Sequence, residues 1–487
     1  MLRRPIPLLL TLLVALIAAA CAGEADENPL ATGGADGGWF DLDELDELDD
    51  RIDEPIAPDT GLGGEDAPDA SEVVEAALVD VDAFWERTYE DLYGDDYEPI
   101  SGGFWPYGPR SDSPPCGSPP PDYSDIAANA FYCPSDDLIA WDAVNLVPGL
   151  YEEFGGFTLG IVFAHEFAHA VQARADLFGS PTIVTELQAD CFAGAWTADV
   201  EAGNSDFFEV TPVDLDKAIA GFLELRDGVG TDARDPLAHG TGFDRIGSFS
   251  EGYEAGPERC AEYPSLFESG ELVIVEVPFT DQADFERGGD LPLEEAFPLA
   301  IQDLEHFWSL LMPELGQPWT PVTDVVVLDP AVDEVECGET YSGEDLVNAS
   351  FYCIASDTIY IDGQNLVPTL YGEIGDYAVA TELARQYAYA AQVRMGNEDN
   401  SLEANLQADC FAGLYASTGF LQNRGEDQPM VLSPGDLDEA VIAFLLMSPS
   451  ADEVVESDTT VGTAFQRFDA YRAGFLDGVS ACEALVG

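Results

Sequence analysis

The clearest pattern of hydrophobic and polar positions predicts a buried helix from Phe157 to Leu177. This stretch is apolar almost all the way round, and its small residues allow close packing. Shortly before it, two apolar segments, 129–133 and 138–141, flank the turn-forming sequence Pro134-Ser135-Asp136-Asp137. Two short apolar segments around such a turn are typical of a β-hairpin. We therefore expect a hairpin just ahead of a buried helix.

The amino-terminal residues have the pattern of an export signal. Arg3 and Arg4 precede an apolar run, 8–17, that is too short for a comfortable transmembrane span. Ala18-Ala19-Ala20-Cys21 then resembles a bacterial lipobox, so residues 1–21 are interpreted as a lipoprotein signal peptide with lipid attached to Cys21. An ordinary cleaved signal with a chance cysteine is the alternative, because Ala18 stands where leucine is preferred. Residues 22–71 are rich in Gly, Asp, Glu and Pro, which predicts a disordered acidic linker.

The chain also contains an internal repeat with a constant offset of 220 residues. Phe131-Tyr132-Cys133 recurs as Phe351-Tyr352-Cys353 and, after a one-residue deletion, the seven residues from Gln188 recur from Gln407. The period is far too long for a solenoid, so we expect a duplicated globular domain. The two domains are placed at residues 72–270, called the first half below, and 291–487, called the second half, with a linker at 271–290.

The charge of the chain excludes one class of partner. The 487 residues include 95 acidic and 17 basic side chains, which gives a formal net charge of −78. A polyanion of this kind will not bind nucleic acid through charge. It is typical of a protein kept soluble in high salt, where screening suppresses self-repulsion, although an acidic or calcium-rich environment fits as well.

Apart from Cys21, the cysteines divide into four in each half at nearly equal spacing. In an exported protein this indicates two disulfides per half. Four cysteines allow three connectivities, and a zinc cluster is a rival, although none of the spacings has the close Cys-x-x-Cys form. The pairings that we favour are Cys116–Cys133, Cys191–Cys260, Cys337–Cys353 and Cys410–Cys482.

The predicted buried helix contains His165, Glu166 and His169. The i, i+4 spacing places both imidazoles on one face about one turn apart, which suits two ligands of a tetrahedral zinc ion. The glutamate beside the first histidine can act on a water at the metal. Hydrogen-bonded core histidines are the alternative, since polar groups in an apolar helix are costly unless they are satisfied.

A catalytic zinc ion needs a third protein ligand. Glu186 and Asp190 lie one turn apart on the next predicted helix. The second half keeps the aspartate, as Asp409, but replaces the glutamate by Asn405. We therefore expect Glu186 to be the ligand and Asp190 to have a structural role, with a contact to one of the histidines.

His239 is a further candidate, because a histidine here could donate a hydrogen bond to the oxyanion of a tetrahedral intermediate. A helix-capping or core histidine is the alternative. The second half lacks every group of this proposed site, and selective loss of this kind is expected of a domain kept for folding or binding without catalysis. The residues at the corresponding positions are Arg385, Gln386, Tyr389, Asn405 and Val461.

Together, these motifs resemble those of the bacterial putative neutral zinc metallopeptidase family. The resemblance covers most of the first half and, without the catalytic groups, most of the second. It lies in Phe131-Tyr132-Cys133 with Asp136 and Asp142, in 165–169 with Gln172, in 186–194, and in 239–241 with Arg245, Gly252, Gly256 and Cys260.

The resemblance implies an α+β fold of two tandem zincin-like domains. Each would have a buried active-site-type helix packed with further helices and a small antiparallel sheet. It also implies that Zn²⁺ is held by His165, His169 and Glu186, with Glu166 as the base. An edge strand of the predicted hairpin would be suited to aligning an extended peptide by main-chain pairing.

We therefore predict a membrane-tethered, extracytoplasmic zinc metalloendopeptidase, anchored by lipid to the outer face of the bacterial cell membrane. Its partners would be peptide or protein substrates and the membrane, but not nucleic acid. The second half would be a pseudoenzyme in contact with the first. The alternatives are a zinc-binding but non-hydrolytic envelope assembly or adhesion protein, and a non-peptidase zinc hydrolase that acts on envelope material.

Overall fold

The structure is a computed structural model that describes residues 69–231, 238–425, 428–449 and 460–485. The predicted signal peptide, Cys21 and nearly all of the predicted acidic linker lie outside the described residues. Within these ranges, no helix combines the length and the apolar character needed to span a membrane.

The described chain is an α+β protein that divides into two compact units. The division differs from the predicted linker at 271–290, because residues 222–232 and 241–247 of the first half belong to the second unit, which otherwise begins at Ile274. The predicted linker itself contains a short helix, Gln282–Arg287, which Asp281 caps by accepting hydrogen bonds from two backbone amides.

The first half begins with the long helix α1 (Ala70–Tyr93). Asp69 and Glu72 form a reciprocal capping box at its N-terminus, and Gly94 ends it in the left-handed conformation. The elements that follow are β1 (Phe104–Tyr107), α2 (Tyr123–Ile126), β2 (Ala130–Cys133), β3 (Leu138–Asp142), α3 (Leu146–Phe154), α4 (Gly156–Arg174), α5 (Thr182–Glu201), α6 (Pro212–Glu224), α7 (Gly242–Ala255), α8 (Pro257–Ala261) and α9 (Tyr263–Ser269).

The sheet of the first half has the strand order β1-β3-β2. Strands β2 and β3 pair antiparallel, with Phe131 opposite Ala140, which confirms the predicted hairpin. Strand β1 pairs with β3 in parallel, so the sheet is mixed and the expectation of an antiparallel sheet is wrong at this pair. A parallel partner needs a long connection. Residues 108–137 supply it.

The hairpin is attached to the helix that contains the histidines. Arg174, at the C-terminal end of α4, forms an ion pair with Asp137 in the hairpin turn, with Nη2 3.1 Å from Oδ1. The hydroxyl of Tyr132 donates a hydrogen bond to the same carboxylate at 2.9 Å. These contacts hold β2, an edge strand of the sheet, beside α4.

The second half has elements of the same kind in nearly the same order. Its mixed sheet, in the strand order β4 (Asp324–Leu328), β8 (Thr358–Asp362) and β7 (Ser350–Cys353), repeats the topology of the first sheet, and an additional two-stranded sheet precedes β7. From the predicted linker onward the elements are α10 (Gln282–Arg287), α11 (Leu293–Glu314), β4 (Asp324–Leu328), β5 (Glu334–Cys337), β6 (Glu339–Ser342), a 3-10 helix (Gly343–Leu346), β7 (Ser350–Cys353), β8 (Thr358–Asp362), α12 (Leu366–Thr369), a π-helical turn (Leu370–Ile374), α13 (Asp376–Met395), α14 (Leu402–Phe420), α15 (Asp436–Met447), α16 (Ala464–Asp477) and α17 (Val479–Ala484).

Helices α5 and α7 cross with their backbones in direct contact at two glycines. A Cβ atom at Gly194 would lie 1.9 Å from the carbonyl oxygen of Phe249, and one at Gly252 would lie 1.8 Å from that of Cys191. The packed backbone of the neighbouring helix cannot move away without a large loss of packing energy, so both positions require glycine. The second half repeats this contact between α14 and α16.

Disulfides reinforce the same helices. Cys191, which follows Asp190 directly on α5, is bonded to Cys260 of α8. The bonds in the structure are the pairings that the sequence favours: Cys116–Cys133, Cys191–Cys260, Cys337–Cys353 and Cys410–Cys482.

We expect Gly194→Ala to lower the free energy of unfolding by about 1–3 kcal/mol, because the added methyl group overpacks the helix crossing. Gly149→Ala is the matched control, since Gly149 is an exposed residue of α3 and a Cβ there meets no atom within 4 Å. Alanine at that helical position should raise the free energy of unfolding by about 0.5–1 kcal/mol. Urea unfolding followed by circular dichroism measures both, and equal effects would contradict the backbone contact.

Candidate metal centre

His165 and His169 lie one turn apart on α4 and face the same side of the helix. Their Nε2 atoms are 3.1 Å apart. The two side chains are 10% and 12% exposed, so both imidazoles are withdrawn from water. Two nitrogen ligands at about 2.0–2.1 Å from one tetrahedral zinc ion would be about 3.3 Å apart. The spacing of the imidazoles therefore fits one shared metal ion.

Glu186 reaches the same point from α5. Its Oε2 lies 3.3 Å from Nε2 of His165, and its Oε1 lies 3.6 Å from Nε2 of His169. Glu186 is 2% exposed. One donor atom from each of these three side chains lies within 4.8 Å of the others. Two imidazole nitrogens and a carboxylate oxygen form a donor set that zinc accepts.

Each imidazole is held from behind through its other nitrogen. Nδ1 of His165 is 2.7 Å from Oδ1 of Asp190, and Nδ1 of His169 is 2.8 Å from Oε1 of Gln172. Hydrogen bonds at Nδ1 select the tautomer that leaves Nε2 available for a metal, and they orient the ring. Asp190 is fully buried behind His165 and stands outside the donor group itself.

Gln172 is the residue of this site to which sequence reasoning gave no role. Its amide nitrogen donates to the carbonyl of Thr185 and to Oε1 of Gln188, which leaves its oxygen to face His169. The second half has the same residue, Gln392, although its histidines are gone. Its presence in both halves is consistent with a scaffold role. The signal for a second role was its i+3 position relative to His169.

Buried ion pairs determine the protonation of the site without a metal. Burial lowers the pKa of His165, but the Asp190 carboxylate outweighs burial and raises the pKa to about 10. Burial also lowers the pKa of His169, but the Glu186 carboxylate outweighs burial and raises this pKa above its usual value. Burial would raise the pKa of Glu186, yet the charge of His169 holds it well below its usual range. Binding of a divalent cation must therefore release protons from these imidazoles.

Glu166 lies beside the first histidine and turns toward the sheet. The backbone amide of Tyr132, on edge strand β2, donates a hydrogen bond to Glu166 Oε2 at 2.8 Å. Glu166 is 7% exposed. Burial raises its pKa, against the opposing charges of His165 and His169. A carboxylate with a raised pKa is a better proton acceptor near neutral pH.

His239 is not part of the group formed by His165, His169 and Glu186. It is half-buried and lies in the short stretch of chain that precedes α7. The remaining histidine of the described chain, His306, lies on α11 with Nε2 2.9 Å from the carbonyl oxygen of Arg424.

The second half places a cation at the corresponding point. Arg385 stands on α13 where His165 stands on α4, and its guanidinium donates to Glu382 at 3.0 Å and to the Tyr389 hydroxyl at 3.2 Å. Its Nε also contacts Asp409, the counterpart of Asp190. Arg467 donates to the other oxygen of this carboxylate at 3.1 Å.

The substitutions around this arginine form a consistent set. Glu382 occupies the position of Val162 in the first half, so the second half has an acidic side chain as well as the arginine where the first half has valine and histidine. The Tyr389 hydroxyl donates to Oδ1 of Asn405, the counterpart of Glu186. These side chains do not appear among the described groups that could hold a metal ion. A side-chain cation thus lies where the first half gathers its metal-binding atoms.

The chain is similar to several bacterial proteins. "Uncharacterized protein YpfJ" of Escherichia coli strain K12 is 28% identical over 198 residues, which are 36% of this chain and 64% of that protein. "Uncharacterized protein Mb2605" of Mycobacterium bovis is 29% identical over 157 residues, 27% of this chain and 53% of that protein. The chain thus spans less than two thirds of the length of these relatives. No solved structure matches it.

The family described as "Putative neutral zinc metallopeptidase" matches the chain in two segments, residues 54–263 and 293–485. The first segment contains the histidines and Glu186, and the second contains Arg385 and its partners. Since the two segments together cover most of the sequence, this protein belongs to the putative neutral zinc metallopeptidase family, whose cofactor is Zn²⁺.

Proposed function

We propose that this protein is a membrane-tethered, extracytoplasmic zinc metalloendopeptidase whose peptide-bond hydrolysis takes place in the first half. The observation that supports it most strongly is the convergence of His165, His169 and Glu186, with one donor atom of each within 4.8 Å of the others. Glu166 lies beside this group and against an edge strand. A metal-binding group, a base and a strand-like surface are the parts that such a reaction needs.

Zinc held by these three side chains would supply a Lewis acid that polarises the scissile carbonyl and makes a water molecule more acidic. Asp190 and Gln172 fix the orientations of the two imidazole rings, so the donor atoms need little rearrangement when metal binds. Because the site is buried, the charges in it are weakly screened and each interaction is stronger than it would be in water.

Glu166 is the general base of this proposal. Its carboxylate takes a proton from the attacking water and then passes it to the nitrogen of the departing amine. The hydrogen bond from Tyr132 fixes the carboxylate, and burial raises its pKa toward the range where both proton transfers are efficient. His239 remains a candidate donor to the oxyanion.

Strand β2 is the surface that we propose for the substrate. It is one of the two edge strands of the described sheet, and its Tyr132 amide already points toward Glu166. An extended peptide that paired with this edge would place its main chain alongside the base. Recognition through the main chain favours unfolded protein segments over any one side-chain sequence.

We further propose that the two halves arose by duplication and that the second is a pseudoenzyme. Its sheet topology, disulfides and glycine contact repeat those of the first half. Its site instead contains Arg385 bonded to Glu382 and Asp409, which leaves no donor set for zinc.

Anchoring by lipid at Cys21 is the remaining part of the proposal, and it is supported by the sequence of residues 1–21. Cys21→Ser should move the protein from the membrane pellet to the soluble fraction of bacterial cells, because the thiol that accepts the lipid is gone. Fractionation followed by immunoblotting measures this. A serine variant that remains wholly in the pellet would exclude the anchor.

The hydrolase proposal predicts that Glu166→Gln retains zinc and loses at least about 100-fold in kcat, because glutamine cannot accept the proton. The second half already has glutamine at this position, Gln386. Cleavage of a reduced, unfolded protein measures activity, and plasma mass spectrometry measures zinc. Glu153→Gln, at an exposed site on α3, is the matched control and should remain fully active. A Glu166→Gln protein as active as this control would refute the assignment of the base.

The pseudoenzyme proposal predicts about one zinc ion per chain in the wild-type protein and almost none in His169→Ala, since loss of one of three ligands removes most of the affinity. His306→Ala is the matched control, because that histidine lies on α11 of the second half, outside the donor group. It should leave the zinc content unchanged. Two tightly bound zinc ions per chain would contradict the proposal, since the second half would then also bind zinc.

A further inference from the structure

A group of four carboxylates, three of them buried and one half-buried, lies in the second half, apart from the residues around Arg385. Asp376 begins α13, Asp436 and Glu439 lie in the first turn of α15, and Asp290 precedes α11. One oxygen each of Asp290, Asp376 and Glu439 lies within 4.8 Å of the others. Asp376 is 3% exposed, Asp436 is 2% exposed and Glu439 is 7% exposed. We call these four residues the acidic cluster.

Backbone amides satisfy only part of the acidic cluster. Leu291 N–H donates to Asp376 Oδ2 at 3.1 Å, and Ser433 N–H donates to Asp436 Oδ2 at 2.8 Å. The other oxygen of each aspartate, Oδ1, is buried and accepts no hydrogen bond from the described part of the chain. A buried carboxylate oxygen without a donor is costly, so these two atoms call for a positive partner.

The charges within the acidic cluster repel one another. Burial raises the pKa of Asp376 to about 7, and the charge of Asp290 adds to the effect. Burial together with the charge of Asp376 raises the pKa of Asp436 well above its usual range. The main charges that act on both groups are carboxylates, so the cluster needs either bound protons or a bound cation.

The first half lacks this arrangement. Asp376 corresponds to Gly156 at the offset of 220, and Glu439 corresponds to Lys217 at the offset of 222 that aligns Asp214-Leu215-Asp216 with Asp436-Leu437-Asp438. The second half has therefore gained one acid at a glycine and reversed the charge of a lysine. Two acidic gains at one buried point are not explained by a general surface acidity, because surface acids face solvent.

We propose that Asp290, Asp376 and Glu439, with Asp436 beside them, form a site for a calcium ion that ties together the starts of α11, α13 and α15. Calcium takes six to eight oxygen ligands at about 2.3–2.6 Å, so oxygens on opposite sides of one ion are separated by about 4.6–5.2 Å. An all-carboxylate donor set suits this hard cation, whereas zinc sites in proteins usually include nitrogen or sulfur ligands. Magnesium demands a strict octahedron and keeps several waters, which suits a buried, mostly protein-lined site less well.

The proposal does not depend on peptidase activity, and its test measures binding directly. The full chain, loaded with zinc, is titrated with calcium by calorimetry in about 1 M salt, where a Debye length of about 3 Å suppresses diffuse binding to surface acids. The wild-type protein should bind one calcium ion in the cluster, and its melting temperature should rise with the logarithm of calcium concentration. Magnesium at equal concentration should bind at least about 10-fold more weakly.

Glu439→Gln removes one proposed ligand and should weaken calcium binding by at least about 10-fold. Glu373→Gln is the matched control, because it removes an equal charge from an exposed residue only a short distance along the chain from Asp376. It should bind calcium like the wild-type protein. Asp290→Asn, at a half-buried position outside any helix, provides a second variant if Glu439→Gln does not fold, and it should also lose affinity.

Wild-type protein that shows no saturable calcium binding would overturn the proposal, and so would equal affinities in Glu439→Gln, Asp290→Asn and Glu373→Gln. If the carboxylates share protons and do not bind calcium, the melting temperature will not change with calcium concentration, and that result would also overturn the proposal. Magnesium binding as tight as calcium binding would overturn the identity of the ion.

Discussion

A carboxylate sealed away from water needs hydrogen-bond donors or positive charge beside it, and the packed helices α4 and α5, like α13 and α14, supply positive charge. Asp190 and Asp409 are both fully buried at equivalent points. The first faces His165, and the second faces Arg385 and Arg467. Removing the partner of such a group leaves an uncompensated charge in a medium of low dielectric constant, which costs several kcal/mol. The helix that supplies the cation must therefore stay in place.

The parts that hold the helices are separate from the parts that supply the cation. In both halves the crossing helices touch at paired glycines, and a disulfide fastens the helix that bears the buried aspartate. The positive charge can come from protonated imidazoles, from a guanidinium, or from a metal ion. The group that supplies the positive charge can therefore differ between the two halves while the packing of the helices stays the same. The acidic cluster has the same requirement, with carboxylates alone as its principal charged neighbours.

The sequence predicts those structural features that a local pattern of residues specifies. The apolar helix and the hairpin could be predicted because each follows from a local pattern, whereas the cysteine spacing alone left three disulfide connectivities open in each half. Strand β1 could not, since its four residues include Pro106 and show no alternation. Gln172 was given no role because an amide has no motif of its own. The acidic cluster was hidden because its members lie far apart in a chain with 95 acidic residues, where almost every carboxylate resembles a solvated one.

The network around Arg385 makes the second half resistant to single substitutions toward a metal site. Histidine at position 385 would leave Glu382 and Asp409 buried with less positive charge, and this site would still lack a second imidazole and a third ligand. Each such substitution made alone would therefore lose folding stability before it added any metal affinity. Design of a zinc site in this half would thus have to replace the arginine, its acidic partners and the neighbouring tyrosine and asparagine together, in one coordinated set of mutations.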